Sequence, residues 1–230
     1  FGASRDGNYV GNLGDVSFFS LYKQFPSFRG GMLVCPEDWK IDLPKTSFNL
    51  RDIISFLNCF LFFALIFKKL GRDLAPRIIK KEKNLEPSGI NRISLGLFSN
   101  FLKDFDKSSK KRKNLALFFK QELEKLNFSV QESENNVFCY FSALVPEEFK
   151  NKRDKIVLEL RKKNIFCNRI WHTPIILNNE ARREYQINLE NFPNSVEVAG
   201  RIINFPMQDY YKEEDIKNMI NNIREVIAKI

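Results

Sequence analysis

Lys23 stands between the run "VSFFSL" (16–21) and the pair Gly30–Gly31. An amine at the mouth of a buried sheet loses hydration, and that disfavours its charged form. Its pKa falls and it becomes a nucleophile toward an aldehyde. Ser17 and Ser20 just before it, and the backbone amides near Gly30 and Gly31, are the small donors that a phosphate needs close by. From position alone, a lysine just past a strand end also reads as an ordinary solvated cation. Both readings stand at this point.

Other chemistries have less to build on. His172 is the sole imidazole, and the four cysteines (Cys35, Cys59, Cys139, Cys167) form no CxxC pair, so a metal site is not expected. Each cysteine lies in an apolar context such as "NVFCYF" and reads as a reduced, buried thiol of a cytoplasmic protein. The net charge of +9 and the runs "KKEK" (80–83) and "KKRK" (110–113) raise nucleic-acid binding as a reading. Both runs adjoin expected helices, where lysines form the solvated face, and no zinc-finger spacing or RNA-binding aromatic motif accompanies them. No nucleic-acid partner is expected.

The elements around these residues follow from periodicity. "GNYVGNLGD" (7–15) is a turn region, and "VSFFSL" (16–21) and "GMLVC" (31–35) have the continuous apolar pattern of strands covered on both faces. A helix is expected over 49–70, ending at Gly71. Its segment "IISFLNCFLFFALIF" (53–67) is shorter than the roughly 20 residues of a bilayer span, so a buried helix or a subunit contact is expected, with no membrane span.

A polar loop at 80–89 precedes helices over 92–105 and over the stretch containing Leu115, Phe118, Phe119, Leu123 and Leu126. A domain boundary is placed near Asp106, at the polar run "DKSSKKRK". Strand 137–145, helix 150–163, strand 164–171, a polar connection, strand 201–206 and a final helix complete the chain. That helix carries Ile216, Met219, Ile220, Ile223, Val226, Ile227 and Ile230 at helical spacing, with three carboxylates in its first turn. Strands alternating with helices predict an α/β or α+β protein.

"FGA" at 1–3, "GDVSFFS" at 14–20, Lys23 and "GG" at 30–31 together resemble the cofactor-lysine region of the DegT–DnrJ–StrS sugar aminotransferases. "KKRKNLALFFKQELEKL" (110–126) is similar to that family's opening of the long helix into the small domain. "FPNSVEVAGRIINFPMQDYYKEEDIKNMINNI" (192–223) resembles its ending. The resemblance implies a fold type I transferase that uses pyridoxal 5'-phosphate, with Lys23 forming the internal aldimine and then serving as general base and acid. It makes Ser20 a phosphate ligand. It makes Asn91, in "GINR" (89–92), the residue that reaches a neighbouring subunit's cofactor phosphate, although the segment is one residue shorter than usual.

The family's small-domain "P-x-H" is here Pro174-Ile175-Ile176, and nearby His172 is read as a packed, hydrogen-bonded residue without a catalytic role. The family's ring-pairing aspartate and phosphate loop lie before "FGA". The chain begins at Phe1 without a signal peptide, so it is expected to be the C-terminal portion of a longer enzyme. Residues 1–106 would be the remainder of the large domain and 107–230 the small domain.

By the same resemblance the parent is a cytoplasmic homodimer that moves an amino group, from glutamate, onto a keto group of a nucleotide-linked sugar for polysaccharide or cell-surface glycan synthesis. Lys23 argues against the family's dehydratase branch, in which histidine replaces the lysine. The alternative is a non-catalytic remnant of the same fold acting as an interaction unit.

Overall fold

The structure is a computed structural model of the 230-residue chain, and it describes residues 2–21, 30–42, 44–46, 50, 54, 57, 89–130 and 135–230. The chain separates into two compact units. One holds Phe1 and Asp6–Phe105, the other Gly2–Arg5 and Asp106–Ile230.

In the first unit, β1 (Ser17–Ser20) pairs antiparallel with β2 (Gly31–Val34), Ser17 opposite Val34 and Ser20 opposite Gly31. Side chains alternate between the faces of a strand. Phe19 and Met32 therefore point inward, and Leu21, just past β1, is buried with Phe98 among Met32, Ile90, Phe101 and Phe105. Phe98 belongs to α1 (Arg92–Lys103), whose start is set by the cap residue Asn91. The opposite face differs from the expectation of two-sided cover: Phe18 is 87% exposed and its cross-strand partner Leu33 38%. The expected helix at 49–70, including the apolar stretch 53–67, lies almost wholly outside the described residues. The loop expected at 80–89 is described only at Gly89.

The second unit is a three-stranded antiparallel sheet in the order β3 (Ser129–Val130), β4 (Tyr140–Leu144), β5 (Ile202–Pro206). Tyr140 faces Pro206 and Leu144 faces Ile202 across the central pair. Helices α2 (Phe105–Glu124), α3 (Arg153–Lys162) and α6 (Glu213–Ala228) bring apolar stripes to one core: Leu115, Phe119 and Leu123 from α2, Ile156 and Leu160 from α3, and Ile216, Ile220 and Ile223 from α6. Their 3/4 spacing is what places them on single faces. Phe119 sits edge-on to Phe141 of β4 and Phe205 of β5, with ring centroids 5.0 and 5.1 Å away. Each such pair contributes roughly 0.5–1.5 kcal/mol beyond area burial. The first turn of α6 is closed by Asp215, whose carboxylate accepts the Lys212 N–H at 2.7 Å.

Three expectations need correction here. Residues 164–171 are not a strand. Asn164 leaves α3 with φ +63, and only Asn168 pairs with β5, in a bridge to Asn204. The next N–H, that of Ile170, goes to the Asn204 side chain instead of a β5 carbonyl, while the Ile202 carbonyl accepts from Arg153 Nη1.

The polar connection after residue 171 contains two helices, α4 (Asn179–Glu184) and α5 (Pro193–Arg201). The Asn178 side chain caps α4 by accepting from the Glu180 and Ala181 amides, and Pro193 opens α5 at a position where its missing N–H costs nothing. Finally, the run 110–113 is not wholly solvated. Lys110 and Lys111 are exposed, but Arg112 is buried on the same face as Leu115 and Phe119, and among the described residues its Nε has no hydrogen-bond partner.

Candidate cofactor-lysine site

Lys23 lies in the segment 22–29, outside the described residues. The two ends of that segment are described, and they meet: the Leu21 N–H donates to the Gly30 carbonyl at 3.1 Å. Gly30 has φ +133, a conformation that L side chains rarely adopt, and a Cβ there would come within 2.8 Å of Ile90 Cδ1. The close approach is what lets Ile90 pack beside Gly30 against Leu21. One residue before Ile90, Gly89 permits a tighter approach still, since a Cβ on it would fall 1.9 Å from the Lys45 carbonyl oxygen.

Asn91 follows Ile90 directly, so the start of α1 adjoins the root of the Lys23 segment within the first unit. The Asn91 side chain is buried, and its Oδ1 accepts the Ile93 N–H at 2.8 Å. That bond satisfies one of the helix's open amides. Ser94, in the same first turn, is fully buried, and among the described residues its hydroxyl has no hydrogen-bond partner. A buried donor without a partner at a helix N-terminus is suited to an anion. The sequence reading missed Ser94, although its place three residues after the Asn91 cap was visible. Ser20, by contrast, stands on the open face of the β1–β2 pair beside Phe18 and opposite Gly31. The structure thus brings Asn91 to the base of the Lys23 segment through Ile90, Leu21 and Gly30. Ser20 is tied to that base only as the residue preceding Leu21.

The second unit carries its own polar constellation around residues 168–172. Asn204 is buried in β5. Its Oδ1 accepts the Ile170 N–H at 2.5 Å, its Nδ2 donates to Ser142 Oγ at 2.8 Å, and its backbone exchanges two bonds with Asn168. Arg169 donates to Asp154 at 2.6 Å, and Asp154 also accepts from Arg153. Partial burial raises the Asp154 carboxyl, but the hydrogen bonds from Arg169 and Arg153 outweigh it and hold the group below the usual carboxylate range.

His172 is exposed, with Nδ1 3.0 Å from the Arg169 carbonyl oxygen, so the expectation of a packed imidazole is corrected while that of a hydrogen-bonded one holds. Its neighbour Trp171 is 73% exposed, so no wall of apolar side chains forms around the ring. Among the cysteines, Cys167 is buried and burial pushes its thiol well up, whereas Cys35 and Cys139 are only half-buried; Cys59 lies outside the described residues. Among the described residues no cluster of His, Cys, Asp and Glu could hold a metal ion, and no helix is long and apolar enough to cross a membrane.

The DegT/DnrJ/EryC1/StrS aminotransferase family matches residues 88–224. The dTDP-4-amino-4,6-dideoxy-D-glucose transaminase of Shigella dysenteriae is 26% identical over 234 residues, covering 98% of this chain and 56% of its own length. The GDP-perosamine synthase of Vibrio cholerae is 24% identical, over 97% of this chain and 56% of its length. Among solved structures, Helicobacter pylori PseC, an aminotransferase involved in the biosynthesis of pseudoaminic acid, superposes with a TM-score of 0.69 at 14% identity, over 100% of this chain and 57% of PseC. Structures of this fold have been solved in forms bearing pyridoxal phosphate and pyridoxamine phosphate. The chain spans little more than half the length of the relatives it matches. With the family match extending over more than half of the chain, and with the fold type I architecture of pyridoxal-phosphate transferases, this protein belongs to the DegT/DnrJ/EryC1/StrS aminotransferase family.

Proposed function

We propose that this chain is the cofactor-lysine portion of an aminotransferase that moves an amino group, from glutamate, onto a keto group of a nucleotide-linked sugar used in polysaccharide or cell-surface glycan synthesis. The observation that carries the reading is the similarity, along 98% of the chain, to a transaminase of a dTDP-linked sugar. In this reading residues 1–106 are the remainder of the large domain and 107–230 the small domain. The working enzyme is a cytoplasmic homodimer.

The residues present fit pyridoxal phosphate at its phosphate end. The Ser94 hydroxyl, without a hydrogen-bond partner among the described residues, is a donor beside the base of the Lys23 segment, while Asn91 at the start of α1 is the candidate for a neighbouring subunit's cofactor phosphate. Ser20, which the resemblance makes a phosphate ligand, stands instead on the open face of the β1–β2 pair. The Lys23 amine would hold the cofactor covalently. Displaced by an incoming amine, it would serve as the base and acid that carries a proton between the nitrogen-bearing carbon of the substrate and the cofactor, a task that needs an amine neutral for part of the time. Bound pyridoxal phosphate supplies the electron sink that lets that carbon lose its proton. A lysine rather than a histidine at position 23 favours amino transfer over dehydration.

The test is spectroscopic. The protein expressed from its complete reading frame is expected to show the absorption band of lysine-bound pyridoxal phosphate, and Lys23→Ala is expected to abolish it. A band unchanged in Lys23→Ala removes this residue from the chemistry. The second reading, a non-catalytic remnant, is favoured by the changed "P-x-H" at Pro174-Ile175-Ile176. It predicts no band in either protein.

A further inference from the structure

Among the described residues of the second unit, Arg112, Arg153 and Arg201 are buried, and they are not alike. Arg153 donates to the Ala199 and Ile202 carbonyls and to Asp154. Arg201 donates to the Val145 carbonyl and to Glu147 and Glu197. Both of those guanidinium groups are answered from within the chain. Arg112 is as deeply buried, at 6% exposure, yet among the described residues no carboxylate pairs with it and its enclosed Nε has no hydrogen-bond partner. A cation taken out of water without a partner is costly, and arginine is almost never fully buried unless paired. Packing does not require it either. Arg112 continues the stripe of Leu115, Phe119 and Leu123 on α2, where a leucine or methionine would fill the position.

The surroundings favour a negative ligand. From residue 107 to 121 the helix carries Lys107, Lys110, Lys111, Arg112, Lys113 and Lys120 and no carboxylate. A long side chain on a helix leans back over the preceding turn. That turn holds Ser108 and Ser109, four and three residues before Arg112 and therefore on its side of the helix, and both are half-buried. Each hydroxyl can donate a hydrogen bond. The Nε–H and one Nη–H of an arginine form a fork that matches two oxygens of a single carboxylate or phosphate group. In Arg112 the Nε edge of that fork is free among the described residues.

We infer that Arg112, with Ser108 and Ser109, forms an oxyanion site in the second unit that takes a carboxylate or phosphate group of a small ligand. The site uses none of the residues assigned to the cofactor, so it stands or falls separately from the role of Lys23. It also accounts for the run 110–113 without a nucleic-acid partner. One buried fork selects a single oxyanion group, and the lysines around it raise the local concentration of anions.

The test follows the Arg112 Nε–H by nitrogen-15 NMR in the full 230-residue chain, the resonance being identified by its loss in Arg112→Lys. Inorganic phosphate and acetate are titrated separately, at ionic strength held constant with chloride. The resonance is expected to shift and saturate with at least one of them, and the tighter probe tells a phosphate source from a carboxylate source. In calorimetry, Arg112→Lys keeps the charge but loses the fork and is expected to weaken that binding at least about tenfold. Without either probe, Arg112→Met is expected to leave the urea midpoint in place or raise it, because it removes an unanswered buried charge, whereas Arg153→Met lowers it. Three results overturn the inference: no saturable shift with either probe, binding undiminished in Arg112→Lys, or a midpoint lowered by Arg112→Met, which would mean that the chain itself answers the guanidinium.

Discussion

Asn204 offers the sharpest test of how the second unit is held together. It is a buried amide in a strand whose neighbours Ile203 and Phe205 are fully apolar, and both ends of its side chain are used. Replacing it with Leu keeps the number of side-chain heavy atoms and removes both bonds. The Ile170 N–H loses its acceptor and Ser142 loses a donor, while the backbone bonds to Asn168 remain. Orphaning a buried polar group costs about 1–3 kcal/mol, and both groups here are only partly buried, so Asn204→Leu should destabilise the unit by about 2–4 kcal/mol.

The assay is urea unfolding followed by Trp171 fluorescence in a Trp39→Phe background, since Trp171 sits on the pinned segment. A double-mutant cycle with Ser142→Ala separates the two bonds and should show a coupling of about 1 kcal/mol. Amide exchange at Ile170 should quicken while that at Asn168 changes little. A cost for Asn204→Leu below about 0.5 kcal/mol would refute the view that this side chain, rather than the backbone bridge, anchors residues 168–172.

Other consequences are as direct. Arg201 is buried with its Nε on the Val145 carbonyl at 2.9 Å and Nη1 on Glu147 and Glu197, so Arg201→Ala should cost about 2–4 kcal/mol in urea unfolding. Glu147→Gln, whose side chain is largely exposed, should cost less than about 0.5 kcal/mol. Because the Asp154 carboxyl is held below its unfolded value, its contribution is complete above about pH 4 and is lost as pH falls through the lower folded value. Asp154→Asn should therefore lower the urea midpoint at pH 7 slightly and flatten its decline toward pH 3. Cys167, buried with its thiol pushed up, should be the last of Cys35, Cys139 and Cys167 to be alkylated and should react only as the unit unfolds, which site-resolved mass spectrometry would follow.

Long periodic elements were legible in the sequence. The stripe Ile216–Met219–Ile220–Ile223 and the carboxylates ahead of it gave α6, and Leu115, Phe119 and Leu123 gave α2, because burying an apolar face dominates such helices. Residues 164–171 misled for the opposite reason. Their apolar members Ile165, Phe166, Cys167, Ile170 and Trp171 look like a strand, but only Asn168 bridges to β5, while the Asn204 side chain takes the Ile170 N–H and Arg153 takes the Ile202 carbonyl. Helices α4 and α5 were short and polar, and their caps at Asn178 and Pro193 were the available signals. Arg112 was misread because four basic residues in a row hide the one that falls on the apolar face. At the candidate site, Gly30 could be picked out by type and spacing, and Asn91 through the family resemblance. Ser94 could not, because a lone serine in a helix's first turn becomes notable only once burial removes its water.

The most direct measurement of the central claim is chemical trapping of the cofactor amine. The protein from its complete reading frame would be incubated with pyridoxal phosphate, reduced with borohydride, digested and sequenced by mass spectrometry. The account predicts a single dominant pyridoxyl label on the peptide containing Lys23, absent from Lys23→Ala. A label spread over surface lysines, or one concentrated at another residue and unchanged in Lys23→Ala, would contradict it.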